Sequence, residues 1–360
     1  MKKNAACARL EELLRENKDR IYSQRAKANC VKSPFPWFGS KSPVADVAWR
    51  AFGDAPNFVD PFGGSLGVLL NRPGEPRTET VNDLDALLVN FWRAARAAPE
   101  EVARHADYPV SEIDMNARHR AIVERARSGL RAEVEADPEH FDAKIAGWWL
   151  WGICQWIGPN WCEQAFKEKR SARAETRYSI ARDASGSHAP TWGKFPKRLP
   201  HLGNAGMGVH APTFGDARGA LLAISARLRR VRITCGDWRR VLTPAVTTIH
   251  GVTAVFLDPP YPVSAEVDYP VGSAPGLWEE VARWAGENGK NPRLRIALCG
   301  YEGMPAPEGW AKHEWRTSGG YGARGEASPD RVSEGRKNAG RERVWFSPHC
   351  LSSGSQVSLF

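Results

Sequence analysis

Short apolar runs rich in β-forming residues alternate with longer amphipathic segments along most of the chain. The clearest run covers residues 253–257, and it ends at Asp258, Pro259 and Pro260. Neither proline can donate to a ladder and each fixes its own φ, so the pattern predicts a buried parallel strand that stops here. We predict six further strands at residues 57–60, 78–81, 231–234, 294–298, 313–316 and 343–347. The strands and the helical segments between them predict an α/β fold.

The crossover between the second and third predicted strands, about residues 96–230, is far longer than one helix requires. Its first part carries scattered apolar residues among Arg and Glu and predicts exposed helices; these residues are Val102, Ile113, Ile122, Val123 and Leu130. Residues 143–157 are apolar almost all round, which predicts a buried helix. Its tryptophans fit a core, although exposed rings would form a base-stacking platform.

Three further segments have compositions that suggest less packed structure. Residues 1–30 predict a charged helix, either a solvated extension or an arm that contacts DNA. Residues 318–341 are rich in Gly, Arg and Ser and predict a flexible hairpin loop. We expect residues 351–360 to form a flexible tail.

The charge of the chain favours a polyanionic partner. The 360 residues carry a formal net charge of +9 and a pI near 9.3, which is compatible with nucleic acid but does not require it. The seven cysteines are scattered without zinc spacing and indicate reduced thiols. No signal peptide or long apolar run is evident, so we expect a soluble, cytoplasmic protein.

The segment Asp258-Pro259-Pro260-Tyr261 concentrates the candidate chemistry. It follows a buried strand, where open α/β sheets bind their ligands. Asp258 offers an acceptor, the loop is stiff, and Tyr261 offers a flat face. This combination suits a planar ring with an exocyclic amine, although an ordinary Pro-Pro turn would have the same strand before it.

A glycine-rich turn follows the predicted strand at 57–60. The turn begins Asp60-Pro61-Phe62-Gly63-Gly64 and opens a helix, the layout of a nucleotide-binding crossover. It lacks the GxGxxG spacing and a Walker lysine, which disfavours NAD and ATP. At the tip of the next strand, Asp83 is placed to hold ribose hydroxyls, and Asp83 or Asp85 is equally placed to cap the following helix.

Upstream, Trp37 and Lys41 flank a Gly-Ser turn before a helical pattern. Free backbone N–H groups at such a turn suit an anion, and a purely structural turn explains the pattern equally well.

Four motifs, in this order along the chain, resemble those of the Dam-type DNA adenine methylases. They are Trp37 with Lys41, Asp60-Pro-Phe-Gly-Gly, Asn82-Asp83 and Asp258-Pro-Pro-Tyr261. The resemblance covers roughly residues 34–348. It implies a Rossmann-like doubly wound methyltransferase sheet with an antiparallel last strand, S-adenosylmethionine as cofactor and no metal. The family usually has Pro-Phe-x-Gly-x-Gly, whereas Leu66 stands here at the second glycine.

The resemblance also assigns cofactor contacts. Trp37, Lys41, Asp83 and Asp258 match the family's binding residues, and Asp60, Phe62, Gly63 and Gly64 form the matching turn. Asp237 and Trp238 follow the third strand, where the family binds adenine, although helix capping would also explain them.

The implied domains are a catalytic domain at residues 31–95 and 230–350 and a mainly helical target-recognition insert at 96–229. In the family, the matching part of the insert holds a hairpin that enters the DNA groove. We therefore expect a base or backbone contact from Asn160 and phosphate contacts from a basic tract, unless that tract is merely solvated. Its candidates are Lys169, Arg170, Arg173, Arg177, Lys197 and Arg198.

The function implied is site-specific methylation of adenine N6 in double-stranded DNA by an enzyme that is monomeric when free. The base would be flipped out of the duplex, under a closing loop at residues 262–276. Asp258 and the Pro259 carbonyl would accept from its amine, Pro260 would stiffen the loop, and Tyr261 would stack on the ring. Cytosine N4 as acceptor, a catalytically silent DNA-binding relic and an RNA substrate stay open, as does a restriction partner.

Overall fold

The computed structural model describes residues 31–35, 37, 39–109, 112–155, 161–162, 217–261, 276–315 and 340–351. Four of the segments discussed above lie wholly or mostly outside these residues: the N-terminal extension, the loop after the proline motif, the glycine-rich loop and the tail.

Within the described residues, seven strands form one sheet in the order β3-β2-β1-β4-β5-β7-β6. Strands β1 to β5 are mutually parallel, and β7 is antiparallel to both β5 and β6. The predicted α/β fold with an antiparallel last strand is therefore confirmed. The strands are β1 (Asn57–Asp60), β2 (Thr78–Asp83), β3 (Val231–Cys235), β4 (Thr253–Leu257), β5 (Leu294–Tyr301), β6 (Ala311–Glu314) and β7 (Glu342–Phe346).

Helices cover both faces of the sheet. None of the described helices is long and apolar enough to cross a membrane. The α-helices are α1 (Ala45–Phe52), α2 (Gly67–Leu70), α3 (Ala86–Ala97), α4 (Pro99–Ala106), α5 (Glu112–Arg125), α6 (Arg131–Ala136), α7 (Ala143–Gln155), α8 (Ala217–Leu228) and α9 (Leu277–Asn288). Short 3-10 turns lie at Ser42–Val44, Trp238–Val241 and Thr248–His250, and a π turn lies at Ala126–Leu130.

Strands β1 and β4 form the centre of the sheet. Every residue of both strands is buried, because helices cover both faces of a parallel sheet. The chain runs outward from β1 through β2 to β3, then returns to β4 on the other side of β1. This reversal places a crevice at the carboxyl ends of β1 and β4, where ligands bind in open α/β sheets.

The helices after α3 are less exposed than their sequence suggests. Val102, Ile122 and Leu130 are fully buried, whereas Ile113 is 81% exposed. Gly147 of α7 allows the close approach of α4, because a Cβ there would lie 2.7 Å from the Val102 carbonyl oxygen. The prediction of exposed helices is wrong here, because α4 and α5 pack on the almost wholly apolar α7.

Two tryptophans of α7, Trp149 and Trp151, are buried as the core interpretation predicts, and Trp148 is half-buried. Helices α7 and α8 both pack on α3, and the buried apolar residues of these helices and of the sheet form one continuous core.

Two arginines of α3 hold the edge strand β3. Arg93 Nε donates to the Ile233 carbonyl oxygen (3.1 Å), and Arg96 Nη1 donates to that of Val231 (2.9 Å). Free carbonyl groups on an edge strand invite pairing with another chain. These guanidinium groups occupy two of them from within the protein.

A buried charge cluster links β2 to α8. The Glu79 carboxylate is 3.1 Å from Arg72 Nη1 and 2.7 Å from Arg227 Nη1, and Glu79 is 1% exposed. Arg72 also donates to the Ala55 carbonyl oxygen (2.5 Å). Removing one partner of such a cluster is costly, because the remaining charges stay buried without compensation.

We predict that Glu79→Gln, which keeps the size of the side chain, lowers the free energy of unfolding by about 3–5 kcal/mol. Denaturant titration measures this change. The matched control is Glu100→Gln, which breaks an exposed pair with Arg218 and should have no measurable effect. Equal stabilities of the two variants would contradict a structural role for the cluster.

Candidate active site

A cavity of about 300 Å³ opens at the carboxyl ends of β1, β2 and β4. It therefore lies at the crevice that the strand order creates. Most of its lining comes from residues 60–65, 82–85, 236–239 and 258–260, together with Trp37 and Lys41. The glycine turn and Asp258, distant in sequence, thus face one cavity, as the sequence predicts.

The glycine turn is fixed by hydrogen bonds from its own backbone. Gly63 N donates to the Asn82 carbonyl oxygen (2.8 Å), and Gly64 N donates to Asp83 Oδ2 (2.9 Å). Gly64 has a φ of +49°, and a Cβ there would lie 2.8 Å from Trp37 Nε1. Glycine is therefore needed both for the backbone conformation and for the approach of Trp37.

Leu66 occupies the position where the resemblance leads one to expect glycine. Its φ of 53° and ψ of 29° lie in the left-handed region, and its side chain is buried. A Cβ on Gly63 would lie 3.0 Å from Leu66 Cδ2. The extra glycine at 63 thus makes room for the leucine, which packs beneath the turn and does not line the cavity.

Two acids, Asp83 at the end of β2 and Asp85 just after it, have different roles in the structure. Asp85 caps α3, accepting from Leu87 N (2.9 Å) and Leu88 N (3.3 Å). Asp83 accepts from Gly64 N and from Asp85 N, so it fastens the glycine turn to the end of β2. Burial raises the pKa of Asp83, and burial followed by the charge of Asp83 raises the pKa of Asp85 to about 7.

Both oxygens of the Asp258 carboxylate are engaged by the protein. Lys41 Nζ lies 2.9 Å from Oδ2, and the Tyr261 hydroxyl donates to Oδ1 (2.5 Å). The Tyr261 ring is 4% exposed and packs edge-on against Tyr301, with 4.8 Å between the ring centroids. The expected open ring face is therefore not found in this conformation, because the hydroxyl bond and this packing turn the ring away from the cavity.

Lys41 is buried and lies between acidic groups. Its ammonium donates to the Gly39 carbonyl oxygen (2.9 Å) and lies 3.8 Å from Glu342 Oε2. Burial alone would lower the pKa of Lys41, but the carboxylates of Asp258 and Glu342 outweigh it and raise the pKa above its usual value. Lys41 thus carries a stable charge beside the cavity.

Asp60, at the end of β1, is buried and accepts from Phe62 N (3.2 Å). Burial first, and then the charge of Asp258, raise the pKa of Asp60 well above its usual value. A cationic ligand in the cavity would relieve both effects.

Asp237 and Trp238 form the far wall of the cavity. Asp237 accepts from Arg239 N (2.8 Å) and caps the short turn that follows, so the capping alternative is also correct. Half of its side chain is exposed, and it pairs with the Arg239 guanidinium (2.9 Å). The buried Trp238 ring lies 6.1 Å from the ring of Phe62.

Comparison with known proteins agrees with this geometry. Residues 37–118 match the family model of the D12 class N6 adenine-specific DNA methyltransferases. The match agrees with the resemblance to the Dam-type enzymes that the sequence motifs show. A search of curated proteins found no matching relative.

The stretch matched to the D12 class contains Trp37, Lys41, the glycine turn and Asp83. Asp258 lies beyond it, but the fold brings Asp258 to the same cavity. Among the described residues, no cluster of three or more His, Cys, Asp or Glu side chains is arranged to hold a metal ion.

The residues predicted to contact DNA lie outside the described part of the chain; they are Asn160, Lys169, Arg170, Arg173, Arg177, Lys197 and Arg198. The nearest described residue is Trp161, whose ring packs on α7. A Cβ on Gly152 would lie 2.0 Å from that ring. Gly152, in the last turn of α7, is therefore required for this packing.

Sequence reasoning missed Glu342, which contributes a second carboxylate beside Lys41. It begins β7, and its side chain is 8% exposed. An acid at the head of an apolar strand was the available signal, because an unpaired carboxylate is rarely buried in a sheet.

We predict that Leu66→Gly is more stable than Leu66→Ala by about 1 kcal/mol, although both are less stable than the parent protein. Both variants lose the buried side chain, but only alanine retains the cost of the left-handed backbone. Denaturant titration measures the difference.

The matched control is the pair Leu70→Gly and Leu70→Ala, at a buried position at the end of α2. The order should reverse there, because glycine is the poorer residue in a right-handed helix. An alanine variant at least as stable as the glycine variant at position 66 would contradict the strained turn.

Proposed function

We propose that this protein transfers a methyl group from S-adenosylmethionine to adenine N6 in a specific sequence of double-stranded DNA, and that it flips the target base into the cavity. The observation that carries the proposal is the shared cavity of the glycine turn and the Asp258-Pro-Pro-Tyr261 corner. The D12 class match supplies the reaction class.

The charge of the cavity supports this cofactor. Six acidic and two basic residues line it: Asp60, Asp83, Asp85, Asp237, Asp258 and Glu280, and Lys41 and Arg239. This excess of acids disfavours the phosphate groups of ATP or NAD and favours a cationic ligand. S-adenosylmethionine carries a sulfonium and an ammonium group, and when bound it supplies an activated methyl.

In this proposal, different residues of the cavity contact different groups of the cofactor. We assign the ammonium group to Asp60, and Trp37, which lies against Gly64, to the wall beside the glycine turn. Asp83 holds the turn, and we assign to it the hydrogen bonds from the ribose hydroxyls. Trp238 and Phe62 offer apolar walls to an adenine ring, with Asp237 at the rim.

The target base would enter from the Asp258 side. Extrusion from the duplex costs a few kcal/mol. Asp258 and the Pro259 carbonyl would accept hydrogen bonds from the amine, which would draw the nitrogen lone pair out of conjugation with the ring. Pro260 keeps the loop stiff, and Tyr261 would stack on the base after leaving its present packing. Positioning thereby supplies much of the catalysis.

We assign recognition of the duplex to residues 96–229. In this assignment Asn160 contacts a base or the backbone, and the basic tract from Lys169 to Arg198 contacts phosphates. The excess positive charge of the chain supports it.

We predict that S-adenosylmethionine, at about 100 times its Kd, raises the melting temperature by about 3–4 °C, because a ligand at this level adds about 2.7 kcal/mol to the folding of a chain of this length. ATP and NAD at the same concentration should give no rise. Differential scanning calorimetry measures these shifts. An equal rise with ATP or NAD would contradict the assignment of the cofactor.

We predict that Asp258→Ala lowers methyl transfer to duplex DNA at least about 100-fold, because the acceptor for the target amine is lost. Transfer of a tritiated methyl group measures the activity, and circular dichroism checks the fold. The matched control is Asp46→Ala, which removes an exposed acid of α1 and should leave activity unchanged. An Asp258→Ala variant with parental activity would refute the mechanism.

We predict that the modified base is N6-methyladenine within one short sequence. Enzymatic digestion of the methylated DNA identifies the base, and sequencing that detects modified bases identifies the site. N4-methylcytosine would exclude adenine as the acceptor. A folded protein that binds DNA without modifying it would indicate a silent relic.

A further inference from the structure

The acceptor that the proposed reaction needs is engaged by two donors in this structure. Lys41 Nζ lies 2.9 Å from one oxygen of Asp258, and the Tyr261 hydroxyl donates to the other at 2.5 Å. An amine entering the cavity would compete with both donors. Each carboxylate oxygen has a second lone pair, but the two donors hold the carboxylate in its present orientation, and turning it towards the amine would draw it away from Lys41.

Glu342 provides a second buried carboxylate for the same lysine. Its Oε2 lies 3.8 Å from Lys41 Nζ, and no described donor forms a hydrogen bond with it. An ammonium has three N–H donors, and the contacts to Gly39 and Asp258 account for two of them. A donor and an acceptor therefore face each other at slightly more than bonding distance.

The distances make the transfer of Lys41 from Asp258 to Glu342 a small movement. Lys41 Nζ is 0.9 Å farther from Glu342 Oε2 (3.8 Å) than from Asp258 Oδ2 (2.9 Å). A shift of this size requires only rotation about side-chain bonds. The lysine charge stays beside a carboxylate throughout, so the large cost of leaving a buried ion uncompensated is avoided.

Among the described residues, Glu342 Oε2 has no hydrogen-bond donor in this conformation. A buried acceptor without a donor is destabilising, and burial raises the pKa of Glu342 while Lys41 opposes this effect. Movement of Lys41 towards Glu342 would satisfy that acceptor. The same movement would free Oδ2 of Asp258.

We propose that Glu342 is a positioning residue that receives the Lys41 ammonium when Asp258 turns to the amine of the extruded base. The inference rests on the proposed function. A merely structural Glu342 would stabilise the fold without any dependence of its kinetic effect on Lys41.

The test compares Glu342→Gln with the parent protein in single-turnover methyl transfer. Both S-adenosylmethionine and the duplex DNA are saturating, and the DNA carries, in unmodified form, the sequence that the parent protein methylates. Glutamine keeps the shape but lacks the charge, so Lys41 stays on Asp258. We expect the rate to fall about tenfold or more, while the Kd for S-adenosylmethionine changes less than about twofold. Glu342→Asp, which restores the charge, should recover part of the rate.

A double-mutant cycle with Lys41→Met separates the two roles. If Glu342 acts through Lys41, adding Glu342→Gln to Lys41→Met should not lower the rate further. A fall of the same size in both backgrounds would overturn the proposal, as would a parental rate in Glu342→Gln. If Glu342→Gln does not fold, Glu342→Asp decides the question. Its rate should be lower than that of the parent protein, and adding it to Lys41→Met should cause no further fall.

The parent protein distinguishes this inference from the proposed function. A parent that transfers no methyl group refutes both. A parent that transfers it, with an unaffected Glu342→Gln variant, refutes the role of Glu342 alone.

Discussion

The buried ion pair between Lys41 and Asp258 joins the first part of the site to the last. Lys41 precedes the helix that leads to β1, and Asp258 follows β4, yet the ammonium and the carboxylate are 2.9 Å apart. Neither charge can be separated from an opposite charge at low cost, because a buried ion without a partner is strongly destabilising. The pair thus fixes the glycine turn and the proline corner on opposite sides of one cavity.

The strand order explains why the acids converge. Strands β1, β2 and β4 are neighbours and parallel, so their carboxyl ends place Asp60, Asp83 and Asp258 at one edge of the sheet. Asp83 serves both the fold and the cavity, since it anchors Gly64 while lining the same space. The matched D12 class segment supplies two of these three acids, and the fold supplies the third.

The sequence predicts an element well when its local pattern is compatible with only one structure. The apolar run of β4 and its two prolines can form little other than a buried strand with an abrupt end. Contacts between residues that are distant in sequence are harder to predict. The burial of Val102 and Ile122 depends on α7, and the present orientation of Tyr261 depends on Tyr301 and Asp258, which no local pattern encodes. Glu342 heads an apolar strand, but its role depends on Lys41, which is distant in sequence.

The proposed mechanism depends on a methyl donor bound between the glycine turn and Asp258. A crystal structure with bound S-adenosylmethionine tests it most directly. We expect the ligand to occupy the cavity, with its ammonium beside Asp60 and its adenine beside Trp238. A cofactor bound anywhere else on the protein would contradict it.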